Sequence, residues 1–443
     1  MQNSTILERH NYRRQFYNSL IFWAIGNTFT ATALVIYLMN LIGFYSGTFI
    51  SLIFAGNFVA SVFRMALPSL LKSIKSRKTI CINGYIYHIV ALAVMFLAAI
   101  YLPEEDNLTA FIIIVLWITA CIFENIAYLA YVSWNQALFP RKTIGRFFSR
   151  REKWRLLGEV IGIIIFVLVF KLGPFLFPGD VFPKSINFGL HAGFGFAGLF
   201  FIGKTIYILH KIPDVHFQME SLSHNNLSTV FRRLSRPFFC PKFWPILVYS
   251  GLFSFFMQLE QVTQNRFICY LTSTSMFIIL VPQVQKLIIK AGQLACAPWV
   301  GYWIDRIGSL SVMAISQFLS AFAMLFYIYV KPGYCWFLVL AGFIWISYVG
   351  LNVALIKMQL EYSTDHDETP WFAAYSLIGG ISGVIGVLLG GQLYDFYQTI
   401  PNFYQVVFTY SFWIRIALTL PLIVALIVYK FSKNTSKIQE NAD

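Results

Sequence analysis

Apolar runs recur along almost the whole chain, and each is continuous rather than alternating, as in FIIIVLWITACIF at 111–123. A hydrocarbon core about 30 Å thick takes roughly 20 apolar residues per helical crossing. Barrel strands would instead show short segments of alternating hydrophobicity. The pattern therefore predicts an all-α integral membrane protein with twelve transmembrane helices. They are placed at 18–38, 45–70, 79–101, 110–133, 156–173, 188–209, 243–264, 273–299, 310–330, 334–356, 371–392 and 405–429. The longest polar interval, HKIPDVHFQMESLSHNNLSTVFRRLSRPFFCPK, follows the sixth run and divides the chain. The expected organisation is an N-terminal six-helix half at 1–210, a cytoplasmic linker at 211–242 and a C-terminal six-helix half at 243–443. The basic stretch FPRKTIGRFFSRREKWR after the fourth span reads as a short amphipathic cytoplasmic helix.

Composition agrees with a lipid solvent. Hydrophobic residues make up 58% of the chain and charged ones 12%, and the mean hydropathy is +0.66. The net charge of +14 would suggest an acidic partner in a soluble protein. Here most of the 33 Lys and Arg fall on one side of the predicted spans, so the excess orients the chain and calls for no nucleic acid. The basic side is cytoplasmic. An even number of spans brings both termini there, Arg9, Arg13 and Arg14 at one end and Lys430, Lys433 and Lys437 at the other. A multi-pass protein of the cell (inner) membrane, monomeric and without a cleaved signal peptide, is expected. The six cysteines are far apart and mostly in apolar runs, so they read as small core residues and not as disulfides or metal ligands.

Polar residues inside the spans are the candidates for chemistry, because a charge at mid-membrane costs about 2.5–3.5 kcal/mol and needs protein or water around it. In the eighth span Gln283, Lys286, Lys290 and Gln293 step by three, four and three residues, which puts them on one helical stripe. Such a stripe either attracts an anionic substrate or satisfies Glu260 and backbone carbonyls. Gln258, Gln261 and Asn265 share a face of the seventh span, with Glu260 beside it; Glu124, Tyr128 and Tyr131 share one in the fourth. Asn57, Ser61 and Arg64 in the second span, Asn27 and Thr30 in the first, and Asn352 in the tenth complete the set. Arg64 and Glu124 lie at similar depth. They read either as a buried pair or, for Glu124, as a carboxyl that binds and releases a proton. Glu159, Lys204 and Arg415 read as packing or interface residues. No cofactor is expected beyond a coupling proton.

After the eighth span stands GYWIDRIGS, with a degenerate counterpart, SLLKSIKSRK, after the second. Gly301, Asp305, Arg306 and Gly308 match the G-x-x-x-D-R-x-G motif of the major facilitator superfamily, which the chain resembles. In the first half the positions fall on Ser69, Ser73, Ser76, Arg77 and Lys78, so only the basic end survives. WNQALFPRKTIGRFFSRR is similar to a pattern of a large bacterial branch through Trp134, Pro140, Gly145, Arg146, Phe147, Phe148, Arg150 and Arg151. The resemblance implies the major facilitator fold, with the first, fourth, seventh and tenth spans lining a cavity and Gly301, Asp305, Arg306 and Gly308 forming a cytoplasmic gate. It also implies alternating access with no covalent chemistry, so no enzyme.

The leading reading is a secondary active transporter for a small solute, anionic or zwitterionic because base exceeds acid inside the spans, and with a proton as the coupling ion. Its partners are that solute and the lipid bilayer. A membrane receptor or scaffold that retains a transporter fold is the alternative favoured by the degenerate first motif. An intramembrane lipid-modifying enzyme would need a His, Asp or Cys constellation, and the seven histidines are scattered singly.

Overall fold

The structure is a computed structural model that describes residues 6–41, 43–44, 46–63, 76–103, 106–138, 141–176, 184–214, 235–272, 280–331, 334, 336–362 and 369–440. The chain divides into two compact units, Met1–Ser221 and Leu222–Asp443. Both are helical, and the described residues contain no β-strand. This is the economical solution in lipid, since a helix satisfies every interior N–H and C=O within one segment.

The N-terminal unit contains α1 (Ile6–Phe29), α2 (Thr32–Leu41), α3 (Gly47–Phe63), α4 (Arg77–Tyr101), α5 (Asn107–Leu138), α6 (Arg141–Leu176) and α7 (Lys184–His210). The C-terminal unit contains α8 (Trp244–Thr272), α9 (Leu280–Ile307), α10 (Ser309–Ala321), α11 (Ala323–Tyr329), α12 (Phe337–Trp345), α13 (Tyr348–Tyr362), α14 (Thr369–Tyr397), α15 (Phe403–Ala417) and α16 (Thr419–Glu440). Several pairs are single apolar runs with a local break. One break lies after Thr30, whose hydroxyl bonds back to the Gly26 carbonyl at 3.1 Å. Another precedes Pro421, which has no N–H to offer the Ala417 carbonyl.

Taking each broken run as one element, the two units repeat one packing order. In the first, α1–α2 packs on the fifth and sixth elements (α6, α7), α3 on the fourth (α5), and α4 on the fourth and sixth (α5, α7). In the second, α8 packs on the fifth and sixth elements (α14, α15–α16), α9 on the fourth (α12–α13), and α10–α11 on the fourth and sixth. Thus the weak sequence echo between halves corresponds to a full repeat of helix neighbours.

Small residues permit the closest of these approaches, as expected where packing rather than water expulsion drives association. A Cβ at Gly386 or Gly390 of α14 would overlap the Phe255 or Leu259 carbonyl of α8. One at Gly158 of α6 would overlap the Ile21 carbonyl of α1. Larger side chains fill the remainder: Phe16, Tyr131 and Trp134 in one unit, Phe243, Tyr249 and Trp371 in the other. Phe111, Phe200, Trp413 and Tyr101 are exposed, the arrangement of a surface solvated by acyl chains.

The chain is an integral multi-pass membrane protein: eight helical runs among the described residues are long and apolar enough to cross a bilayer. The helices that fall short of that measure include α8 and α9. They carry Gln258, Glu260, Gln261, Gln264 and Asn265, and Gln283, Gln285, Lys286, Lys290 and Gln293, and so are penalised by the side chains of interest. Residues 64–70 of the expected second span and 273–279 of the eighth lie outside the described residues.

Two expectations are corrected. The amphipathic segment after the fourth span is not a separate helix; it is continuous with the expected fifth span in α6, 36 residues long. From Arg141 onward no proline interrupts the run until Pro174, and a helix once started propagates through isolated glycines. Cys296, expected in the core, is exposed, whereas Cys81 and Cys121 are buried as expected.

Candidate functional site

The polar interior of the C-terminal unit is organised around Glu260 of α8. Its carboxylate is an ion-pair partner of Arg415 on α15 and accepts from the Ser411 hydroxyl one turn earlier on the same helix. Glu260 and Arg415 are 4% and 3% exposed, so neither charge has water to fall back on. Arg415 Nη1 also donates to the Tyr348 hydroxyl of α13 at 2.5 Å. Its guanidinium lies 6.0 Å from the Trp345 ring centroid, within cation–π range. Gln317 of α10, fully buried, donates to the Arg415 carbonyl at 3.1 Å and pairs with Tyr249 at 3.1 Å. Four helical runs are therefore joined by one hydrogen-bonded network, charge-assisted where Glu260 and Arg415 take part.

This network reassigns two residues. Arg415, expected to be a packing or interface residue, is the partner of Glu260, and Lys286 and Lys290 are not. Sequence reasoning missed Tyr348, Ser411 and Gln317 altogether; the available signal was an arginine inside an apolar helix, which demands a buried acid somewhere in the fold.

Along α9 the predicted stripe is geometrically real, because the helix is continuous through it. Its members differ in surroundings. Lys286 is exposed, Gln283 and Lys290 are half-buried, and Gln293 is buried. The neighbouring Gln285, outside the stripe, is the structural member: it is buried, donates to the Leu338 carbonyl at 2.8 Å and contacts the Tyr327 hydroxyl at 3.1 Å. Gln258 and Gln261 are half-buried on α8, and Asn352 is exposed on α13.

In the N-terminal unit, Tyr128 of α5 accepts from Arg151 of α6 at 3.0 Å. The Arg151 guanidinium also sits 5.3 and 5.6 Å from the Tyr128 and Tyr131 ring centroids. The second arginine of the FFSRR sequence is thus buried between α5 and α6, held by the aromatic stripe one helix away. Glu124, half-buried one turn from Tyr128, makes no hydrogen bond or ion pair among the described residues. Glu159 pairs with Arg155 on its own helix. Asn27 is half-buried in α1 and Asn57 exposed in α3; Arg64 lies outside the described residues.

The two loop motifs take different forms. Gly301 through Ile307 are the last turns of α9, and only Gly308 is non-helical. Gly308 has φ +90°, a conformation that needs glycine, and directly starts α10. Asp305 Oδ1 meets Lys357 Nζ of α13 at 2.5 Å, and Arg306 donates to the Tyr302 hydroxyl at 3.2 Å. Of the degenerate copy, Ser76 caps α4 by accepting from the Thr79 N–H and bonds Asp214 at 2.6 Å. Lys78 Nζ donates to the His210 and Ile212 carbonyls at 2.7 and 2.6 Å, where α7 ends. A cation on the carbonyl end of a helix is favourable for both the open carbonyls and the dipole.

Replacing Lys78 by Met should therefore lower stability by about 1–2 kcal/mol, for two lost charge-assisted bonds at a helix C-terminus. Asp305→Asn should change it by less than about 1 kcal/mol, because Asp305 is 78% exposed and its pair is screened. Thermal unfolding of the purified variants measures both; equal effects would contradict the assignment.

The structure aligns with a variant of the nucleoside transporter NupG at a TM-score of 0.70 and 14% identity, covering 94% of this chain and 99% of that one. The chain has the major facilitator fold. A crystal structure of a D-xylose-proton symporter aligns at a TM-score of 0.68 and 13% identity, covering 97% and 98% of the two chains. The xylose transporter XylE from E. coli aligns at 0.64 and 10% identity, covering 95% and 98%. The family model of the Major Facilitator Superfamily matches residues 288–442, which include the complete loop motif. The resemblance read from the sequence is borne out there, while the N-terminal unit, with its degenerate motif, contributes the fold alone. No functionally curated protein matches the sequence.

Proposed function

We propose that the chain is a twelve-span secondary active transporter, both termini cytoplasmic, that moves a small anionic or zwitterionic solute by alternating access. The observation that carries this reading is the exposure of polar side chains inside helices that coincide with the expected spans: Asn57 of α3, Lys286 of α9 and Asn352 of α13. Hydrocarbon does not accept a lysine or an amide, so such side chains face a water-filled path. The repeated six-element packing order supports the span count, and the fold is one on which the nucleoside and xylose transporters named above are built. Substrate selection on α9 falls to Lys286 and Lys290, with Gln258, Gln261 and Gln293 as hydrogen-bonding partners of the solute. No step makes or breaks a covalent bond.

Proteoliposome uptake over a panel of anionic, zwitterionic and neutral solutes tests the reading, guided by a ligand-induced thermal shift of the purified protein. Lys286→Gln with Lys290→Gln should weaken binding of the transported anion at least about 30-fold, the effect of losing a desolvated charge contact. Unchanged affinity would assign both lysines to structure. Because Glu260 is committed to Arg415 and Ser411, proton coupling is proposed for Glu124. Glu124→Gln should abolish the response of uptake to a pH gradient while leaving solute exchange; a surviving response would remove Glu124 from that role.

A further inference from the structure

We propose that the outward face of α7, near its C-terminal end, binds one anionic phospholipid, the phosphate on Lys204 and Lys211 and an acyl chain over Gly203. The exposed positions Phe196, Phe200, Lys204, Tyr207 and Lys211 step by four, four, three and four residues, which makes them one stripe. Phe200 is 72% and Tyr207 55% exposed. A membrane helix that turns such rings outward lies against acyl chains there, so Lys204, one turn from each, faces lipid. The opposite side of α7 is the one that packs on α1. Ile202 is buried there against Gly26, and the Thr205 hydroxyl donates to the Ser19 carbonyl at 3.1 Å.

Lys204 stands six residues before the end of α7, about 9 Å along the axis and still inside the apolar run His191–His210. Helical side chains lean toward the N-terminus, so the Tyr207 ring covers the turn of Lys204, and Lys211, the residue after α7, reaches back over the same ring. The two Nζ atoms lie 5.0 and 4.2 Å from the Tyr207 ring centroid. The ring attracts each ammonium, but it also gathers two like charges at the edge of hydrocarbon, where their repulsion is poorly screened. No acid within the protein offsets them: α7 and α4 contain no Asp or Glu, and Asp214, just beyond α7, accepts from Ser76, the cap of α4, at 2.6 Å. An anion must come from outside, and on a lipid-facing surface that anion is a phospholipid phosphate. Each ammonium has three N–H donors, so one phosphate can bridge both while the contacts with the ring persist. Beside Phe200 and Tyr207, Gly203 brings no side chain, and a Cβ there would meet nothing within 4 Å. That open strip takes an acyl chain, which a soluble phosphate lacks. The proposal rests on membrane insertion alone, so its failure would leave the transport reading untouched.

Native mass spectrometry of the full-length protein, released from micelles containing equal dioleoylphosphatidylglycerol and dioleoylphosphatidylcholine, tests it. The wild type should retain one phosphatidylglycerol in preference to phosphatidylcholine. Lys204→Gln with Lys211→Gln should reduce that preference about 30-fold, roughly fivefold for each interfacial lysine, at an unchanged unfolding temperature. Lys204→Arg with Lys211→Arg should keep it. Lys153→Gln with Lys331→Gln removes the same charge from two exposed lysines elsewhere and should leave the preference as it was. Gly203→Phe fills the open strip with both cations in place, and should lower retention of either lipid. The proposal is overturned by a preference that survives Lys204→Gln with Lys211→Gln, by an equal loss in the Lys153 and Lys331 variant, by wild-type retention in Gly203→Phe, or by displacement of the lipid with glycerol 3-phosphate alone.

Discussion

Glu260→Ala should destabilise the C-terminal unit by about 3–5 kcal/mol, the penalty for leaving one member of a buried ion pair without the other. The partner is Arg415, at 3% exposure, and the nearest remaining acceptors, Tyr348 and Ser411, are neutral. Arg415→Met should lose a similar amount, since it strands the Glu260 carboxylate and also removes a donor from Tyr348. The informative variant is the double one, Glu260→Leu with Arg415→Met. Replacing both charges by apolar groups of similar volume removes the desolvation penalty along with the attraction, so most of the loss should be recovered. A double-mutant cycle read by thermal unfolding gives the coupling directly. If the double variant were as unstable as the singles, packing around the network rather than its charge would be the determinant. Its transport also discriminates roles: a purely structural pair predicts retained uptake in the stable double variant, whereas a coupling carboxylate predicts its loss.

Gly390→Ala and Gly386→Ala should each lower stability by about 1–3 kcal/mol, while the same change at Gly203 should be neutral or slightly stabilising. At the α14 positions the new methyl meets a backbone carbonyl of α8, which cannot turn aside as a flexible side chain would. Overpacking of this kind forces the helices apart. At Gly203 of α7 a Cβ meets nothing within 4 Å, so only the better helix propensity of alanine is felt, up to about 1 kcal/mol. Unfolding temperatures of the three variants in one detergent decide the matter. Uniform effects would mean that helix propensity, not the α8–α14 approach, sets the cost.

Much of the candidate site was legible because helical periodicity is local. The spacing of Gln283, Lys286, Lys290 and Gln293 placed them on one face, and α9 is continuous through all four. The aromatic stripe of Tyr128 and Tyr131 was likewise readable, although its occupant, Arg151, comes from the next helix. What stayed hidden was pairing. Glu260 and Arg415 are 155 residues apart, and nothing in either segment names the other. Lys357 for Asp305 and the two carbonyls for Lys78 were equally invisible, because a charge in a sequence announces the need for a partner without its address.

The sequence by itself determined the solvent, the helical class and the joint at Gly308. Each follows from local properties: apolar run length against bilayer thickness, charge that stays out of hydrocarbon, and a φ that only glycine adopts readily. Tertiary structure decided which helices touch, and hence that the units repeat one packing order, that α14 presses its glycines on α8, and that Glu260 belongs to Arg415 rather than to the lysine stripe. Those outcomes depend on surfaces brought together from distant segments, where a methyl group or a buried charge changes the balance by several kcal/mol. No local pattern encodes them.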